Sequence, residues 1–174
     1  MNLQSPLREI DPAHFRKVMG RFASGVTVIT AGVGGYSRGM TANAFMSGSL
    51  EPPLCVVSVA KRAHMHAHLR AAGRFAVNIL SLGQEQYAGH FSGKPVPGLD
   101  VPFIDVGGIP TLGDAAALIT ANLAAEHDCG DHTLYVGHIL FMRSDERPPL
   151  LYHAGHYGAL LPDSGDDIPT PEFW

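Results

Sequence analysis

Gly25 to Val33 reads GVTVITAGV and runs through Gly34-Gly35 into a return segment, SRGMTANAFMS, from Ser37 to Ser47. The first stretch is rich in β-branched residues, which pack well on a pleated surface, and the glycine pair supplies the positive φ angles of a tight hairpin turn. A strand, a turn and an antiparallel partner are therefore expected. Leu54 to Val59 after Pro52-Pro53, Phe75 to Leu80 (FAVNIL) and Thr133 to Met142 (TLYVGHILFM) after the Gly130-Asp131 turn read as further strands. Leu150 to His153 and His156 to Leu160 add two shorter pieces.

Helical signals are fewer. Asp11-Pro12 reads as an N-cap with proline in the first turn, and Phe15, Val18, Met19 and Phe22 then recur at helical spacing. Arg62 to Ala72 reads as a helix closed by Gly73, and Ser81 to Phe91 as a short one. Ala115 to His127 mixes helix-friendly alanines with strand-like stretches, so its type stays open. Ser92 to Pro110 is studded with Gly and Pro and reads as a long loop, of the kind that often lines a site. Several strands with few helices and mostly short turns point to an antiparallel barrel more than to a parallel α/β sheet. No GxGxxG follows the first strand, so a Rossmann dinucleotide site is not supported.

At 174 residues, with 45% hydrophobic and 16% charged residues, the chain fits one domain, 1–174, with a core over about residues 11–161 and a mobile tail over 162–174. The net charge of −4 and the absence of a basic block argue against nucleic-acid binding. No apolar run approaches the roughly 20 residues of a membrane span, and the first twelve residues lack signal-peptide organisation, so a cytoplasmic location without a membrane partner is expected. Cys55 and Cys129 have neither CxxC spacing nor a disulfide framework and are read as reduced thiols. His64, His66 and His68 alternate, but a zinc site needs converging ligands at fixed geometry, and no metal is expected.

Chemistry gathers in three places. From Arg38 to Phe45 (RGMTANAF), small and polar residues fill a return strand where a core strand would carry bulk. Small side chains let a planar ligand approach the backbone, and Thr41 and Asn43 offer hydrogen bonds to a heteroaromatic edge, although an exposed edge strand explains the same composition. From Pro52 to Gln84 there is no Asp or Glu, while Lys61, Arg62, Arg70 and Arg74 fall inside, with Ser58 at a strand end and a helix starting just after. Free amides at a helix N-terminus, a hydroxyl and cations make a phosphate pocket, and a basic solvated helix face is the competing reading. Finally, Gly130-Asp131-His132-Thr133 puts a histidine at the mouth of a strand. The residues alone reach a barrel for a phosphate-bearing aromatic ligand.

Seven segments in this order and spacing carry a resemblance that spans about Phe15 to Leu160. They are FRKVMGRFASGVTVIT (Phe15 to Thr30), RGMTANAF (Arg38 to Phe45), SGSLEPPL (Ser47 to Leu54), VSV (Val57 to Val59), GRFAVNIL (Gly73 to Leu80), GDHTLYVG (Gly130 to Gly137) and PLLYHAGHYGAL (Pro149 to Leu160). The chain resembles the flavin reductase-like family, in particular the short reductase components of two-component aromatic hydroxylases.

The resemblance implies a mainly β fold: a six-stranded antiparallel Greek-key split β-barrel with a few flanking helices, assembled as a homodimer with flavin near the subunit interface. It implies FMN or FAD, with NADH or NADPH as hydride donor stacking on the flavin, and a separate monooxygenase that receives the reduced flavin. By position, Thr41, Ala42 and Asn43 would face the isoalloxazine, and Ser47 and Ser49 its polar rim. Ser58, Val59, Ala60, Lys61, Arg62 and His66 would line the phosphate side, Phe91 the ring or ribityl region, and His132 the nicotinamide position. Ala63 and Met65 stand where many relatives carry Ser and Thr, so Lys61 and Arg62 would compensate for two missing hydroxyls, and FMN against FAD stays open. His156 stands where an arginine is common, which leaves NADH against NADPH open. Two other readings compete: a reductase that keeps its flavin and reduces another acceptor such as a corrinoid, and a flavin-binding electron carrier that does not use nicotinamide.

Overall fold

A computed structural model describes residues 10–161. The chain opens with helix α1 (Pro12–Met19) and continues through strands β1 (Ser24–Gly25), β2 (Thr27–Val33), β3 (Tyr36–Ala42), β4 (Phe45–Ser49) and β5 (Leu54–Ala60). Helix α2 (Met65–Ala72), β6 (Arg74–Ile79) and helix α3 (Glu85–Phe91) follow. A small hairpin, β7 (Phe103–Val106) with β8 (Ile109–Leu112), precedes a long one, β9 (Ala117–Cys129) with β10 (His132–Ser144), and β11 (Leu151–His153) with β12 (His156–Gly158) ends the fold. Every strand pairing is antiparallel. The fold is mainly β with three helices among the described residues.

Local chemistry places most boundaries. Asp11 Oδ2 accepts the His14 backbone N–H at 2.8 Å and so starts α1. Gly34 and Gly35 turn β2 into β3 with φ of 60° and 80°. The expected long loop from Ser92 to Pro110 is partly structured, because Gly107-Gly108 repeats that turn, with φ of 64° and 80°, and joins β7 to β8. Strands of four residues are too short for a period to show in sequence. The alanine-rich segment left open is strand β9, held on both sides by β6 and β10, and that pairing overrides the helix propensity of alanine. The tail expected to be mobile lies outside the described residues.

The main sheet runs β3-β2-β6-β9-β10-β5-β4, seven strands where six were expected. Its two edge strands are consecutive in the chain, joined only by Asn43 and Ala44. Three Cα steps span at most about 11 Å, so the end of one edge strand and the start of the other lie close together.

Both faces are covered where the sheet is most apolar. Thr27 to Ala31 of β2 and Phe75 to Asn78 of β6 are buried without interruption. One cluster, including Ile29, Val57, Val59, Phe75, Val77 and Tyr135, packs with Met65 and Leu69 of α2. The other joins Val26, Val28, Leu80, Tyr87 of α3, Leu112 and Leu150. Each such aliphatic side chain stabilises the fold by about 1.5–3 kcal/mol relative to exposure. Asn78 is the polar pin of the buried β6: its amide donates to Val28 O at 2.8 Å and Thr30 Oγ1 at 3.0 Å, and its Oδ1 accepts Leu112 N–H at 2.7 Å.

Candidate functional site

The bend at Asn43–Ala44 is where the clefts meet. Asn43 is exposed and lines a cleft of about 360 Å³ with Thr41, Ala42, Ser92, Lys94, Tyr152 and Tyr157. It also lines a cleft of about 700 Å³ against α1, with Arg16, Lys17, Met19 and Phe22, and an apolar one of about 680 Å³ with Phe15, Phe45, Met46, Ser58 and Leu134. A further cleft of about 480 Å³ runs from Arg38–Thr41 past Phe91 to Ala63, His64 and Met65 at the start of α2. The structure thus brings the return strand, the end of α3 and the start of α2 together, although they are far apart in sequence.

The small residues of the return strand have two uses. Thr41 donates its hydroxyl to Ala88 O of α3 at 2.7 Å, which ties the strand to the helix and leaves the oxygen only as an acceptor. Gly39 is small because Phe91 lies over it: a Cβ there would fall 2.6 Å from Phe91 Cδ1 and Cε1. Its smallness admits a protein ring. Ala42, half-buried against the core, and Asn43 stay turned to the clefts.

The expected phosphate side is more heavily paired than the sequence implies. Lys61 Nζ lies 2.9 Å from Asp128 Oδ1, and Arg70 Nε 2.8 Å from Glu126 Oε2, both carboxylates on β9. Arg74 donates to Gly107 O at 3.1 Å. The acid-free segment is therefore neutralised from a strand some sixty residues later, and only Arg62 of its four cations has no such contact among the described residues. Helix α2 has no side-chain N-cap, but its His66 and Ala67 N–H groups donate to Ala63 O at 3.1 Å and His64 O at 3.2 Å, so of its first three amides only that of Met65 has no such backbone acceptor. His66 is held from within: the Tyr135 hydroxyl lies 2.6 Å from its Nδ1, the rings meeting edge to face at 5.6 Å. Burial raises the Tyr135 pKa above its usual value.

The remaining expected residues divide. Ser58 and Ala60 are half-buried at the end of β5, and Ser58 borders the apolar cleft. Val59 is fully buried in the core, so its side chain is closed to any ligand and only its backbone remains. Ser47 and Ser49 flank an irregularity in β4 and line none of these clefts. His132 lies at the start of β10, its Nδ1 2.7 Å from Asp131 Oδ1, and also borders none of them. That hydrogen bond and the imidazole charge lower the Asp131 pKa. Burial pushes the Cys55 thiol up to about 11 and closes it to chemistry, while Cys129 is a free, exposed thiol opposite His132 in the β9–β10 ladder. Ser92, Lys94, Tyr152 and Tyr157 escaped the sequence reading; for Ser92 and Lys94 the signal was the long loop after α3.

The family model for the flavin reductase like domain matches residues 19–161. The chain belongs to the flavin reductase-like family. It is 39% identical over 155 residues to an NADH-dependent flavin reductase of a Rhodococcus species, covering 87% of this chain and 88% of that protein. It is 41% identical over 148 residues to the reductase component of a 4-hydroxyphenylacetate 3-monooxygenase of Thermus thermophilus, covering 84% of this chain and 95% of that protein. Among solved structures it matches the flavin reductase PheA2 with a TM-score of 0.85 and 42% identity over 87% of this chain and 99% of that one. An NADH:FAD oxidoreductase of Streptomyces globisporus, solved with NAD and FAD fragments, matches with a TM-score of 0.83 and 36% identity over 91% of this flavin reductase-like chain and 99% of that one.

Proposed function

We propose that this protein is an NADH-dependent flavin reductase that hands reduced flavin to a separate monooxygenase. The observation that carries the reading is the cleft system converging on Thr41, Ala42 and Asn43 in a chain whose relatives are named NADH-dependent flavin reductases and monooxygenase reductase components. The donor set fits a flavin: a narrow strip of small residues, an exposed amide at Asn43, aromatic walls at Tyr152 and Tyr157, and an uncapped helix start with cations beside it.

The bound flavin supplies the hydride acceptor, its N5, for hydride leaving the nicotinamide. The chain's own work is to orient and to exclude water. Asn43 offers both a donor and an acceptor to the ring's polar edge, where negative charge gathers as hydride arrives, while Thr41 can only accept there. Phe91 walls the ring or ribityl region, and Lys61, Arg62 and the Met65 amide at the start of α2 meet the phosphate. Ser58, Ala60 and the Val59 backbone support that turn, and Ser47 and Ser49, which line none of the clefts, are assigned to the rim by the family resemblance alone. His132 positions the nicotinamide, with Asp131 fixing its imidazole.

The reading extends to a six-stranded split barrel, since β3 and β4 counted as one strand bent at Asn43–Ala44 reduce seven strands to six. It extends to a single domain over 1–174, a homodimer, and a cytoplasmic location, the last supported by two unpaired thiols. No described helix is long and apolar enough to cross a membrane.

NADH oxidation measured with FMN, FAD and riboflavin in turn tests the function. Turnover with exchangeable flavin is expected. A tightly held flavin that oxidises no NADH would instead mark an electron carrier, and turnover only with a further acceptor would mark a reductase of that acceptor.

A further inference from the structure

The ion pair between Lys61 and Asp128 bears on how flavin leaves. Lys61 follows β5 directly, beside the start of α2, and its ammonium lies 2.9 Å from Asp128 Oδ1. Sheet register aims the carboxylate there: Thr133 of β10 is the cross-strand partner of Asp128 on one side and of Val59, two residues before Lys61, on the other. The Lys61 backbone N–H donates to Asp131 O at 2.9 Å, so the cationic turn is also tied to the β9–β10 hairpin through its main chain. Both side chains stay open to water, 41% exposed for Lys61 and 83% for Asp128, so an incoming anion can reach the ammonium without unfolding anything. Lysine presents a compact point charge that one strong acceptor at a time can dominate. A phosphate carries more charge than a carboxylate and three acceptor oxygens.

We propose that Asp128 is an internal competitor for the flavin phosphate. It holds Lys61 while the phosphate is away and yields it when the phosphate arrives. By opposing the phosphate in this way it keeps affinity low enough for reduced flavin to depart. The inference rests on the assignment of Lys61 to the phosphate. Arg62 has no ion pair among the described residues and stays available to attract the anion while Lys61 is held.

The test compares FMN and riboflavin binding, which differ only by the phosphate, in Asp128→Asn, Lys61→Ala and the double variant. Asp128→Asn should tighten FMN by about two- to fivefold, the range an exposed ion pair supports. It should slow FMN dissociation and leave riboflavin unchanged, while Glu146→Gln, which removes the same charge beyond the far end of β10, should change neither. Lys61→Ala should weaken FMN relative to riboflavin, and in that background Asp128→Asn should gain nothing. If Lys61→Ala weakens FMN while Asp128→Asn has no effect, the competition is overturned and the phosphate assignment stands. If Asp128→Asn tightens FMN equally without Lys61, the carboxylate repels phosphate directly and the competition is again overturned. If Lys61→Ala leaves the FMN-to-riboflavin ratio unchanged, the phosphate assignment itself fails and the inference falls with it.

Discussion

Phe91 over Gly39 shows how a single missing side chain shapes the cleft. Since a Cβ at residue 39 would stand 2.6 Å from two ring carbons, Gly39→Ala must displace the aromatic wall. Overpacking of this kind costs about 1–3 kcal/mol, so the variant should lose that much in urea unfolding and bind riboflavin more weakly. Unchanged riboflavin affinity would remove Phe91 from the flavin wall. Asp128 permits a pH prediction. The hydrogen bond and charge of Lys61 hold the Asp128 carboxyl below the usual carboxylate range. A carboxylate lowered on folding stabilises the folded state above its ordinary pKa and loses that contribution as pH falls through the lowered one. Thermal melts from about pH 5 to pH 2 should therefore fall less steeply for Asp128→Asn than for wild type. An identical slope would mean that the pair adds no stability. The composition of RGMTANAF, SVAKR and GDHT marked these residues as unusual, but their partners Asp128, Glu126 and Tyr135 were not legible, because an ion pair between β9 and the β5–α2 turn depends on register.

Strand β6 is the element on which the fold most depends, being buried on both faces between β2 and β9. Asn78 answers three polar groups there, and replacing it with leucine of similar size strands the Leu112 N–H and the Val28 carbonyl. Unsatisfied buried groups cost about 1–3 kcal/mol each, so Asn78→Leu should lose about 3 kcal/mol or more in denaturant unfolding. A loss near zero would show that water or a shifted backbone replaces the amide. Element type was readable wherever a local device spoke for itself: the Asp11 cap, the Gly34-Gly35 turn, the left-handed Gly73 at the end of α2. It was unreadable where tertiary pairing decides, as in β9, and where strands are too short for a pattern, as in β7 and β8. The break between β3 and β4 was hidden for a different reason. Ser37 to Ser47 does read as extended, and it breaks because β3 pairs with β2 at one edge of the sheet while β4 pairs with β5 at the other, a pairing that no local residue signals.

At the scale of the whole molecule, α1 is the anomaly. It is amphipathic, yet none of its residues is buried: Phe15 is 53% exposed, Val18 53% and Met19 56%, and Phe22 just beyond is 79% exposed. An isolated helix of eight residues is marginal in water, so a packed apolar face must support it. Phe15, Met19 and Phe22 wall the apolar cleft shared by Asn43, Phe45 and Met46 of the bend and β4, which continues the exposed surface onto the sheet. Exposed apolar surface of this extent marks an interface, and a second copy of the chain is the occupant that the family resemblance implies. Sedimentation at micromolar concentration should therefore give about twice the 18.5 kDa of one chain. Replacing Phe15 and Phe22 together by glutamate puts charge on that face and should produce monomers. Because Met19 and Phe22 also border the cleft that Asn43 lines, the monomers should bind flavin weakly even though the sheet and its core are untouched. Wild type at the mass of one chain would refute the dimer, and a charged variant that still pairs would move the interface to another face. Monomers that bind flavin with wild-type affinity would show instead that one subunit completes the site alone.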